Sequence, residues 1–83
     1  MKKILIEISS PAAGLAYDMF VPNTLRLGEL AHLASEVFSR MSNGTYICSG
    51  TAIICRAESG EVLKPSETVK ESEIKHGTKL LLF

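Results

Sequence analysis

From residue 3 the chain alternates, with Ile4, Ile6 and Ile8 on one side of an extended backbone and Lys3, Leu5 and Glu7 on the other. That period of two marks a half-buried strand over residues 3–8. Ser9-Ser10-Pro11-Ala12-Ala13-Gly14 supplies turn residues, and residues 15–21 alternate again, Tyr17, Met19 and Val21 against Ala16, Asp18 and Phe20. The two segments read as a hairpin with a longish loop. Pro22 removes a ladder donor and ends the second strand, while Asn23 and Thr24 favour turns and helix starts. From Leu27 to Met41 the period changes. Leu27, Leu30, Ala31, Ala34, Val37, Phe38 and Met41 recur at spacings of three and four, and Glu29, His32, Ser35, Glu36, Ser39 and Arg40 fall on other faces. One helix with a single apolar stripe is predicted, ended by the αL-tolerant Ser42-Asn43-Gly44.

The second half is more broken. Residues 45–50 read as an irregular connection. A short strand is predicted over 51–57, with Ile53 and Cys55 on one face and Ile54 and Arg56 on the other. Glu58-Ser59-Gly60 then turns the chain toward Val62 and Leu63, which read as a further strand and complete a second hairpin. Between Pro65 and Ile74 a compact connection with room for a 3₁₀ turn uses Val69 and Ile74 as apolar anchors, and Gly77-Thr78 turns into a last strand over 79–83. The order strand, strand, helix, strand, strand, strand in one small core predicts an α+β fold, a mixed sheet with one face covered by the single helix. The first and last strands, both apolar, belong in the middle of that sheet, which is the β-grasp arrangement in ββαβββ order.

Size and charge narrow the function. At 83 residues the chain holds one core, so residues 1–83 form a single domain. Nine basic against nine acidic residues leave no broad attraction to phosphate backbones or anionic lipid, so nucleic acid is a poor partner. No apolar run approaches the roughly 20 residues needed to cross a bilayer, and Glu7 interrupts the N-terminal run before it becomes a signal peptide. A cytoplasmic protein without direct membrane insertion is expected. Cys48 and Cys55 are too few for a disulfide framework and are expected as reduced thiols.

Several residues together carry a family resemblance. Val21-Pro22 at the end of the second strand, the helix stripe from Leu27, and the run Leu63, Pro65, Thr68-Val69, Ile74, Gly77-Thr78, Leu80 and Leu82 are similar to those of ubiquitin-like proteins over nearly the whole chain. Within that superfamily, the length and the Val-Pro-x-x-Leu-x-Leu approach to the helix most resemble the YukD/EsaB group, small cytoplasmic proteins associated with type VII secretion in Gram-positive bacteria. The resemblance implies a non-catalytic, protein-binding module acting as an accessory or regulatory component of that apparatus. Conjugated modifiers and sulfur carriers of this fold carry a flexible Gly-Gly terminus. Here Leu82-Phe83 stands in its place, so conjugation is not expected, short of processing from a longer precursor. The alternative is a β-grasp accessory subunit of a multicomponent enzyme such as a di-iron monooxygenase.

Neither metal nor catalysis finds support in the spacing. The gap between Cys48 and Cys55 does not match the close cysteine pairs of zinc sites, and His32 and His76 lie on separate elements. Cys55 reads more simply as a small hydrophobe, His32 as a solvated helix residue and His76 as a turn residue. No cofactor and no catalytic residue is predicted, and Lys64, Lys70 and Lys75 interleaved with Glu67, Glu71 and Glu73 read as a solvated loop. What remains is surface. With Ile4, Ile6, Leu80 and Leu82 turned to the helix, period-two alternation puts Leu5, Leu81 and Phe83 on the open sheet face, and the parity chosen for the third strand adds Ile54. These four residues, flanked by Lys3, Glu7, Arg56 and Lys79, are the candidate protein-binding patch, which would equally serve homo-oligomer contacts through the sheet face. Scattered aliphatics on an open sheet are also ordinary.

Overall fold

The computed structural model describes residues 3–11, 14–42 and 52–83. Its elements are β1 (Lys3–Ser10), β2 (Leu15–Pro22), α1 (Leu27–Met41), β3 (Ile54–Arg56) and β4 (Thr78–Leu82). β1 pairs antiparallel with β2 along its length, from Lys3 opposite Pro22 to Ser10 opposite Leu15. On its other side β1 runs parallel to β4, Ile8 opposite Leu80, and β3 closes the sheet antiparallel to β4, Ile54 opposite Leu82. The strand order is therefore β2-β1-β4-β3, with the first and last strands in the centre as predicted.

Burial explains that order. Ile4, Ile6 and Ile8 of β1 and Leu80 and Leu82 of β4 are buried beneath the helix stripe of Leu27, Leu30, Ala31, Ala34 and Phe38. A parallel pair needs a long crossover, and here the helix that covers the pair is part of it. Val69 and Ile74 are buried where anchors were predicted, in a succession of turns instead of a 3₁₀ helix. Gly60 and Gly77 turn with φ of +74° and +88°, in the left-handed region that glycine enters without strain. The Gly77 N–H donates to Leu5 O at 2.7 Å, tying the start of β4 to β1.

The structure corrects five expectations. Val62 and Leu63 do not form a strand: Val62 makes an isolated bridge to Cys55, so the described residues form a sheet of four strands and not the five of a ββαβββ order. Ile54 is not on the open face. It is 3% exposed, packed in the core opposite Leu82. Ser35, placed among the polar helix positions, is fully buried, whereas Met41, assigned to the stripe, is 44% exposed at the helix end. Asn23 and Thr24 do not cap α1. The N-cap is Arg26, which makes no side-chain cap bond; instead the Leu27 N–H donates to Glu67 O at 2.9 Å and the Gly28 N–H to Pro65 O at 3.0 Å. Carbonyls from a distant segment thus satisfy helix-start donors that a local side chain usually takes. Asn43, Gly44, Cys48 and the connection over 45–50 lie outside the described residues.

That capping segment is held by a reciprocal pair. The Thr68 N–H donates to Glu71 Oε1 at 2.8 Å and the Glu71 N–H to Thr68 Oγ1 at 3.1 Å, the capping-box pattern transplanted into a turn. Hydrogen bonds from the Thr68 backbone first, and then from its side chain, hold the Glu71 carboxyl below its ordinary range.

Tyr17 offers a test of the core's rim. Its ring meets Phe38 edge-on, centroids 5.0 Å apart, and its buried hydroxyl has no hydrogen-bond partner among the described residues. Burial pushes its pKa up to about 12. Replacing Tyr17 with phenylalanine removes an unpaired buried hydroxyl and is expected to stabilise the domain by about 1 kcal/mol. Because the folded phenol keeps its proton where an unfolded tyrosine loses it, the wild type becomes less stable as pH rises from about 10 to 12. Below that window the phenol adds no slope. Urea titrations of both proteins at pH 7, 10 and 11.5 check this: the gap between them should widen only at high pH.

Candidate functional site

The open side of the sheet carries the odd-numbered residues of β1, β3 and β4 and the even-numbered residues of β2. The register arranges them in rows. At one end Leu5 lies opposite the 63% exposed Phe20. The next row crosses Asp18, Glu7 and Lys79. A third runs from Ala16 through Ser9, Leu81 and Cys55 to the bridge partner Val62. At the far end Phe83 and Ile53 exchange two backbone hydrogen bonds, both 2.8 Å. Direct cross-strand partners project to the same side, so each row is a set of side-chain neighbours.

The predicted patch is therefore divided. Leu81 and Phe83 come together, and Ile53 joins them. Leu5 sits with Phe20 at the opposite end of β1, four residues or about 13 Å along the strand from the Ser9 row, with the charged Asp18-Glu7-Lys79 row between. Ile54 drops out into the core. The apolar end consists of half-buried Leu81, 56% exposed Phe83, 45% exposed Ile53 and exposed Val62 around Cys55, whose free thiol is buried. Sequence reasoning missed Ile53, Val62 and Phe20. Strand parity could have found Phe20, because Val21 faces the core; Ile53 needed the β3 register.

Arg56 explains the error of parity. It shares the core side of β3 with Ile54, lying opposite Leu80, yet it stands at the layer's edge, where its Nε donates to Glu61 Oε1 at 3.1 Å and its Nη2 to Ser72 O. Arginine on the core parity made Ile54 look like a surface residue. Lys79 flanks the apolar end on the open face as expected, whereas Arg56 does not.

Two depressions adjoin these surfaces. An apolar groove of about 220 Å³ lies between the first half of α1 and the β3 edge, lined by Leu27, Gly28, Ala31, Ile53, Val62 and Pro65 among others. A wider, open depression of about 780 Å³ is lined by Arg56, Glu58, Glu61, Glu73, Lys75 and Lys79, in which both signs of charge are interspersed. His32 lies on the solvated helix face within 2.9 Å of Glu36, and the Nδ1 of His76 accepts the Leu5 N–H at 3.1 Å. Among the described residues no three His, Cys, Asp or Glu side chains group as a metal site, and no helix is long and apolar enough to cross a membrane.

No protein-family model and no curated protein sequence matches this chain. Solved structures do. The ubiquitin of Caldiarchaeum subterraneum superposes with a TM-score of 0.71 at 18% identity, covering 98% of this chain and 91% of its own. A chain of the toluene 4 monooxygenase HD complex with the inhibitor 4-bromobenzoate gives 0.75 at 12% identity, over 98% of this chain and 96% of that one. A chain of an ESX-5 inner membrane complex gives 0.78 at 10% identity, over 98% of this chain but 20% of that one. At these identities the likeness is one of fold, and the fold is the ubiquitin-like β-grasp.

Proposed function

We propose that this chain is a non-catalytic, cytoplasmic protein-binding module that docks a partner non-covalently on the open sheet face, as an accessory or regulatory component of a type VII secretion apparatus. The observation that carries the binding role is the cluster of Leu81, Phe83 and Ile53 on the sheet face opposite α1, which no described helix covers. An aromatic anchor among aliphatics, rimmed by charge such as Lys79, has the make-up of an interface centre. Ubiquitin-like domains are generally binding surfaces and not catalysts, which fits the mixed charges of the wide depression. The secretion setting draws its support from the ESX-5 neighbour, of which a segment the size of this chain adopts the same fold.

A second reading has its own observation. The toluene 4 monooxygenase neighbour is matched over 96% of its length, so a free-standing subunit of this size exists in an oxygenase complex, and this chain would then be an accessory subunit of such an enzyme. Mild isolation from the native cell, with mass spectrometry of what co-purifies, separates the two. Secretion-system ATPase or membrane components are the expected companions; oxygenase subunits would replace the first reading with the second.

A further inference from the structure

The two edges of the sheet are finished differently. At β3, the strand is only three residues long and its outer side is taken up: the Arg56 N–H donates to Glu61 O and the Leu63 N–H to Ile54 O. At β2, eight residues in unbroken register with β1 present an outer side to which no other described segment forms backbone hydrogen bonds between Leu15 and Val21. Proteins usually blunt such an edge with lysine, proline, a bulge or brevity. β2 has one charge, Asp18, and its proline stands at the very end. On the helix side, moreover, Leu15, Tyr17 and Met19 pack against the core and yet remain only partly buried, an apolar row along the rim.

We propose that β2 is a self-complementary edge through which two copies of this chain join into one continuous eight-stranded sheet. The sequence of β2 selects the register. In an antiparallel pair of identical strands centred on Tyr17, Leu15 lies opposite Met19 of the second copy, Tyr17 opposite Tyr17, and Met19 opposite Leu15, so the exposed row is apolar throughout. On the other face Asp18 lies opposite Ala16. A register centred on Asp18 instead sets two carboxylates against each other, which is destabilising. The second copy is favoured as occupant because all three positions of this row are apolar, so antiparallel self-pairing sets an apolar side chain against an apolar one throughout, and the zero formal charge of the chain puts no net repulsion between copies. Pairing residues of equal parity keeps both helices on one side of the joined sheet and both open faces on the other. The two β4 strands then lie five strand spacings of about 4.8 Å apart, presenting two Leu81-Phe83 patches ~24 Å from each other. A partner with two sites at that spacing is bound with avidity.

Ala16 is exposed and lies opposite Ser9 within the monomer, so it can be changed without touching the core. Ala16→Asp sets a second carboxylate against Asp18 of the other copy, twice by symmetry; Ala16→Lys sets an ammonium there. Sedimentation equilibrium over about 10 µM to 1 mM should show a monomer–dimer equilibrium for the wild type, weakened about tenfold by Ala16→Asp and tightened by Ala16→Lys, with unchanged circular dichroism. A wild type that stays monomeric to the highest concentration overturns the proposal. So does a dimer indifferent to both substitutions, since it is built on another surface.

Discussion

Replacing Phe38 with alanine is expected to cost about 3–5 kcal/mol of stability, the range for truncating a fully buried aromatic. The ring is completely enclosed under the sheet and meets Tyr17 edge-on, so its loss opens a cavity and strips an aromatic pair whose worth exceeds its area alone. A domain of this length has on the order of 4–12 kcal/mol in all. The variant should therefore lose about a quarter or more of the domain's stability, seen as a large fall in the urea midpoint and in the thermal transition temperature. Leu33 on the same helix is 44% exposed, and Leu33→Ala should change stability by less than about 1 kcal/mol. Equal losses from the two would mean that the helix does not face the sheet as described.

The second large effect concerns binding. Leu81→Asp and Phe83→Asp each place a carboxylate in the middle of the apolar end of the open face, and each should weaken the natural partner by roughly 30-fold or more, the equivalent of about 2 kcal/mol at an interface hot spot. Because these side chains point away from the helix, thermal stability should fall by no more than about 1 kcal/mol. Leu5→Asp, at the far end beyond the charged row, should leave affinity within about threefold. Isothermal titration with the co-purified partner reads all three. A Leu5 effect as large as that of Phe83 would mean that the two apolar ends act as one surface after all.

Legibility in the sequence tracked the strength of the local pattern. β1, β2 and α1 alternate or recur over many residues, and their faces could be read without tertiary information, Ser35 and Met41 of α1 excepted, as could the central placement of β1 beside β4. β3 could not. Three residues carry no periodicity of their own, and Arg56 on the core parity reversed the reading, because a guanidinium at the layer's edge can reach Glu61 and Ser72 while its strand neighbour Ile54 is buried. The Val62 segment failed similarly: its turn chemistry was right, with Gly60 at positive φ, but among the described residues it forms an isolated bridge to Cys55 and no strand. Helix capping by Pro65 and Glu67 carbonyls was invisible because main-chain donors and acceptors leave no residue signature. The buried hydroxyl of Ser35 gave no signal either, since serine on a helix is usually solvated. Leu81 and Phe83 were legible as members of the site because β4 alternates cleanly. Their separation from Leu5 was not, since the stagger of two parallel strands is set by the turn at Gly77 and not by the pattern within either strand.

One end of the open sheet face is the proposed seat of the protein partner. Titrating the isotope-labelled domain with its co-purified partner and following backbone amide resonances tests it residue by residue. Shifts concentrated at Ile53, Cys55, Val62, Leu81 and Phe83, with the exposed helix positions His32, Leu33 and Arg40 unmoved, are the predicted result; perturbations centred on that helix face, with the sheet residues silent, would contradict it.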